Sequence, residues 1–253
     1  MDLAGITFLD ILPFIAIGFG AQLVDGALGM AFGTISSTLL LSMGVPPAAA
    51  SAGVHMVETF TTGVSGASHI AHRNVDWRLF TRLIVPGVIG GVAGAYILTE
   101  VSAEAARPVV LAYLAAIGLY LVWRGFHYPP VRAAPKLVEP LGLVGGFLDA
   151  AGGGGWGAVV TGNLLVQGGE PRRVIGTVNA AEFILTATIS ATFIASLGWE
   201  VFTVATLGLL IGGVAAAPLG AFVAKRAPAR GLLVLVGILL TLTSAWGIYR
   251  AFG

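Results

Sequence analysis

The sequence predicts an all-α polytopic membrane protein made of two inverted repeats. Each repeat is a broken or re-entrant helical hairpin followed by three transmembrane helices. Three observations carry this. The 253 residues have a mean hydropathy of +0.93 and only 10% charged residues, where a soluble domain carries about 25%. Apolar runs of membrane-spanning length recur from end to end. Residues 18–62 also align without a gap on residues 142–186, with 12 of 45 pairs identical. The matched pairs include Asp25 with Asp149, Gly29 with Gly153, Gly33 with Gly157, Pro47 with Pro171, Glu58 with Glu182 and Thr62 with Thr186.

Polar or proline-containing breaks divide each half into four apolar segments. These are 8–43, 46–70, 78–99 and 105–125, then 139–166, 171–196, 200–223 and 229–252. The repeat resumes after a two-residue slip, where Trp77, Phe80 and Thr81 match Trp199, Phe202 and Thr203. Residues 1–126 therefore form a first transmembrane repeat, 127–138 a cytoplasmic linker carrying Pro129, Pro130 and Pro135, and 139–253 a second repeat. The first segment of each half has an awkward length. Residues 8–43 would make a helix of roughly 54 Å. That is too long for one span of about 20 residues and too short for two spans with a turn. A glycine cluster interrupts each: Gly26, Gly29 and Gly33 in the first, Gly152–Gly155 and Gly157 in the second. A hairpin of two half-helices fits, because irregular backbone is tolerated at membrane depth where it is packed in protein or lines a cavity.

Charge decides between topologies. If all eight segments span, the 13 Lys and Arg split 7 against 6. If the two first segments turn back, only Arg107 and Arg250 fall on one face and the other 11 on the opposite face. The positive-inside rule selects the second arrangement, with both termini outside. An odd number of crossings then inverts the second repeat relative to the first. The first apolar run, flanked by Asp2 and Asp10, lacks the basic region of a signal peptide. The absence of Cys excludes disulfides and thiolate chemistry. No basic patch interleaved with aromatics points to nucleic acid. No nucleotide site, cofactor or metal is expected. The lipid bilayer and a small anion are the expected partners, and the oligomeric state is left open.

The hairpin tips carry the chemistry. Glycines leave amide N–H groups unshielded, and the half-helix after each tip presents unpaired donors and a positive dipole end, an anion site without a cation. Backbone N–H near Gly29, Gly33, Gly153 and Gly157 would contact the substrate, with the hydroxyls of Thr34, Thr62 and Thr161 and the amide of Asn179 beside them. Close packing by small residues is the alternative for these glycines. Asp25 and Asp149 support the tips by capping the half-helices behind them. Ser51, His55, Glu58, Thr62, Ser65 and His69 step by three and four residues along one helix face. Glu58 and Glu182 lie deep in their spans, where a charge costs about 2.5–3.5 kcal/mol. They would gate or carry a proton, with His55 one turn from Glu58 as a relay partner. Interhelical hydrogen bonding is the bland reading of the same residues. The tetrad Gly63–Gly66 matches the GxSG of rhomboid-type intramembrane serine proteases, but such a site needs a His base on another helix.

The run Gly145–Gly157 (GGFLDAAGGGGWG), the run Gly168–Phe183 (GGEPRRVIGTVNAAEF) and the hexapeptide His72–Trp77 (HRNVDW) resemble the sulfite exporter TauE/SafE family of membrane permeases. The resemblance covers essentially the whole chain. In the first half Leu28, Met30 and Phe32 interrupt the glycine-rich pattern. The resemblance implies transport of a small sulfur-containing anion, such as sulfite or an organosulfonate, across the bacterial inner membrane. The expectation is a secondary transporter, not an enzyme, working outward and driven by a proton gradient or by the electrochemical gradient of the anion itself. An anion channel of the same fold remains the alternative.

Overall fold

A computed structural model describes residues 8–28, 30–127, 136–224 and 229–252. Gly29, most of the expected linker and the extreme termini lie outside the described residues. The described chain holds ten α-helices and no strand: α1 Phe8–Leu28, α2 Phe32–Ser42, α3 Pro47–Ala71, α4 Trp77–Glu100, α5 Ala103–Phe126, α6 Val138–Gly152, α7 Gly162–Val166, α8 Pro171–Leu197, α9 Val204–Ala224 and α10 Ala229–Phe252. A π-helical turn over Gly157–Thr161 leads into α7. Both first segments are thus broken at their glycine clusters. Local chemistry sets several helix starts. Pro47 and Pro171 open α3 and α8, where proline's fixed φ suits the first turn. Asp76 caps α4 by accepting from the Arg78 and Leu79 amides at 3.0 and 3.1 Å.

Among the described residues, four stretches are long and apolar enough to cross a membrane: Trp77–Glu100, Ala103–Phe126, Arg173–Leu197 and Leu233–Arg250. The 25 residues of α3 have the length, but buried Ser51, His55, Glu58 and Thr62 lower its hydropathy.

The packing exchanges helices between the halves. The first helix of each half lies along the fourth helix of the other, α1 on α9 and α6 on α4. Glycines permit this approach. A Cβ at Gly146 would overlap the Gly87 carbonyl, and one at Gly212 the Ile15 carbonyl. The two contacts differ in register. Gly18, seven residues before Asp25, meets Leu209, whereas Gly146, three residues before Asp149, meets Gly87. Leu209 and Gly87 match under the repeat, so α1 sits one helical turn out of step with α6.

The same contacts fix helix direction. On α3 and α8, Gly63 meets Phe183 and Gly66 meets Ala180, so these matched helices run antiparallel. The matched pair α5 and α10 is antiparallel too, with Gly118 against Gly237 and Gly125 against Val234. In contrast, α9 runs parallel to α1 (Gly208 on Phe14, Gly212 on Phe19) and to α3 (Gly53 on Thr206, Gly213 on Val57). Helix α2 opposes α3, with Gly33 beside Glu58 and Ser37 joined to Gly153 beside Ser51. It follows that α1 and α2 point in opposite senses. A continuous span over residues 139–166 would instead have made α3 parallel to α8. At one end of the bundle Arg82 grips Glu139 through Nε at 2.5 Å and Nη2 at 2.9 Å, and the Asp76 amide donates to the Thr177 hydroxyl at 2.8 Å.

Candidate functional site at the paired hairpin tips

The second tip is built from backbone that only glycine adopts at ease. Gly153, Gly154 and Gly155 have φ of +72°, +131° and +151°. These angles turn the chain from α6 into the π-helical turn. In the first tip Ala31, which matches Gly155, is held at φ +119°, a conformation costing about 1–3 kcal/mol for a residue with a Cβ.

Both aspartates act on the helix behind their tip, seven residues on. Asp149 Oδ1 accepts the Trp156 amide N–H at 2.8 Å, and Asp25 Oδ1 accepts that of Phe32 at 3.2 Å. Asp149 does more. Its Oδ2 lies 3.1 Å from His55 Nε2, and both side chains are buried. His55 Nδ1 in turn lies 2.7 Å from the Ser51 carbonyl. The described bonds of the His55 ring go to Ser51 and Asp149 rather than to Glu58. The imidazole faces across to α6 and pairs with Asp149, because the shared face of α3 meets the opposite half there. Ser51 Oγ donates to the Ala150 carbonyl at 2.6 Å, and Ser37 Oγ donates to the Gly153 carbonyl. Tip two is thus clamped from α2 and α3 of the other half.

Glu58 ends at the start of α2. A Cβ on Gly33 would lie 2.8 Å from Glu58 Oε1 and 2.8 Å from the Gly154 Cα, so the first half-helix, the second tip and this carboxyl converge. Glu58 is 5% exposed and its Oε2 has no hydrogen-bond partner among the described residues. Glu182, 9% exposed, belongs to the same electrostatic neighbourhood, with Asp25 and Asp149. The half-helix donors are consequently not bare. The first amide of each is taken by an aspartate, and the Gly33 amide faces Glu58.

The remaining candidates divide. The Thr34 hydroxyl donates to the Ala31 carbonyl at 3.2 Å and that of Thr62 to the Glu58 carbonyl at 2.6 Å, both local helix bonds. Thr161 is fully buried in the π-helical turn, and its Oγ1 has no hydrogen-bond partner among the described residues. Gly157 is buried at the start of that turn. Asn179 binds the Ile175 carbonyl through Nδ2 at 3.0 Å and accepts from Ser65 Oγ at 3.2 Å. Ser65, the serine of the GxSG tetrad, is thereby engaged with an amide rather than a histidine. Gly29 lies outside the described residues.

The sequence reading missed one cation. Arg124 is one of the 11 cations that the charge count assigns to one face, yet it is 2% exposed. Its Nη1 lies 3.4 Å from Met30 Sδ at the first tip and borders Gly162 of the second hairpin. No periodicity marks it, since it stands two residues from the end of α5. Only the hairpins folding over that end bury it.

Apolar helices enclosing acid-lined hairpin tips define a multi-pass membrane protein. The chain belongs to the sulfite exporter TauE/SafE family, whose model matches residues 14–246. It is also similar to a Bacillus subtilis (strain 168) protein described as "Probable membrane transporter protein YtnM", with 41% identity over 244 residues, 93% of this chain and 81% of the relative. No solved structure matches it.

Proposed function

We propose that this chain is a secondary transporter that moves a small sulfur oxyanion, sulfite or an organosulfonate, outward across the bacterial inner membrane together with a proton. Residues 1–126 and 139–253 are inverted copies that rock about the tips. The antiparallel runs of α3 with α8 and of α5 with α10 support that inversion. The observation that carries the function is the position of Glu58. A carboxyl group already sits where the half-helix of α2 presents its N-terminal amides, next to Gly154. A carboxylate and a sulfur oxyanion compete for the same donors. Protonation of Glu58 would free the seat, and Glu182 would take the proton onward. Gly33, Gly153 and Gly157 would then hold the anion through backbone N–H groups, with Thr161 and Asn179 beside it.

The experiment is flux of labelled sulfite in proteoliposomes with and without a pH gradient. The wild type should show saturable, gradient-driven flux, which a channel would not. Glu58→Gln and Glu182→Gln should each abolish the response to the gradient. Unchanged pH dependence in both variants would reject the proton role, and sulfite flux equal to that of empty liposomes would reject the substrate class.

A further inference from the structure

We infer that the protein carries a second oxyanion site, at the face opposite its inner positive charges, built by Arg107 and Arg250. The charge count leaves these two as the only cations on that face among 13 Lys and Arg. They are 143 positions apart in sequence, on different halves, yet they line one cavity of about 200 Å³. The antiparallel pairing of α5 with α10 brings this about, since it sets the first turns of α5 beside the last turn of α10. Gly247 lets the helices close, because a Cβ there would lie 2.9 Å from Leu111 Cδ1. The third wall is the end of α2, with Ser42 and Gly44.

Arg107 Nη2 donates to the carbonyls of Gly44 and Val45 at 2.8 and 3.2 Å. This satisfies the end of α2 and holds the guanidinium in the wall, and a guanidinium has five N–H donors. Neither arginine is in an ion pair among the described residues. The cavity is smaller than the roughly 300–1,000 Å³ of a site for a drug-sized ligand, and suits an anion of a few atoms. Two guanidinium groups select oxyanions, whose paired oxygens match the donor fork. The site lies at the far end of the half-helix that begins at the first tip. It would therefore take the anion as it leaves that tip. Only this last step rests on the proposed transport; the binding itself does not.

The test is equilibrium titration of the purified full chain in lipid-free detergent with sodium sulfite, sodium sulfate and sodium chloride, read by tryptophan fluorescence. Trp246 lines the cavity. Sulfite should quench saturably, chloride should not at equal ionic strength, and Trp246→Phe should remove the signal. Arg250 is exposed, so Arg250→Gln should fold as the wild type does and weaken the apparent affinity at least tenfold, with recovery in Arg250→Lys. An affinity unchanged in Arg250→Gln overturns the inference. Repeating the titration in nanodiscs separates a free anion from a lipid headgroup: loss of sulfite binding in phosphatidylglycerol but not phosphatidylcholine would assign the cavity to lipid and overturn it. Sulfite flux in proteoliposomes separates the two proposals. Absent flux with Arg250-dependent binding defeats only the transport reading, whereas normal flux with Arg250-independent binding defeats only the second site.

Discussion

Asp149 and Asp25 make the same bond to the seventh residue on, but they are not equal in weight. Asp149 also holds His55 in a fully buried contact, whereas Asp25 is half-buried and its described bond is longer. Loss of a cap costs about 1 kcal/mol, and a buried polar atom left without its partner costs about 1–3 kcal/mol more. Asp149→Ala should therefore lower thermal stability in detergent clearly more than Asp25→Ala, as read by the midpoint of unfolding. Equal midpoints would show that the His55 contact contributes nothing. Ala31 offers a test of opposite sign. Its φ of +119° sits where the matching residue is Gly155. Ala31→Gly should raise stability by about 1 kcal/mol through relief of strain, less the entropy that glycine adds to the unfolded chain.

At the scale of helices, glycine spacing does the work of a core. Membrane helices gain little by hiding apolar surface from lipid, so close backbone contact supplies the attraction. A Cβ at Gly146 collides with the Gly87 carbonyl, while one at Gly20 on α1 meets nothing within 4 Å. Gly146→Val should separate α6 from α4, costing about 1–3 kcal/mol or more, and should displace Asp149 with it. Gly20→Ala should be neutral or stabilising by up to about 1 kcal/mol. Comparing the two unfolding midpoints checks this. If they agree, the packing read from the helix contacts is wrong.

For the whole molecule, sidedness is the decisive expectation. The chain has no Cys, so single cysteines can be read one at a time. Glu100→Cys and Glu170→Cys both stand on exposed residues at helix ends. A membrane-impermeant maleimide added to intact cells should label the first, and the second only after the membrane is opened. Labelling of Glu170→Cys from outside would reject the inverted arrangement.

Much of the helix plan was legible in the chain. Segment limits, the breaks at both glycine clusters and the shared face of Ser51, His55, Glu58 and Thr62 follow from hydropathy and spacing, which act within a few residues. The antiparallel sense of α3 and α8 is what a segment 139–166 returning to its starting side would give. What the sequence left open lies between segments. Spacing put His55 next to Glu58, yet the imidazole meets Asp149, 94 positions away. Arg124 was only one charge in the count, because its contacts come from hairpins of both halves. Arg107 and Arg250 looked like two stray charges until the pairing of α5 with α10 set them in one cavity. The sequence alone determined a duplicated, membrane-embedded helical chain, because hydropathy and repetition are properties of the letters in order. Only the tertiary structure decided which carboxyl faces which donor, because that choice depends on the register and direction of helices from opposite halves.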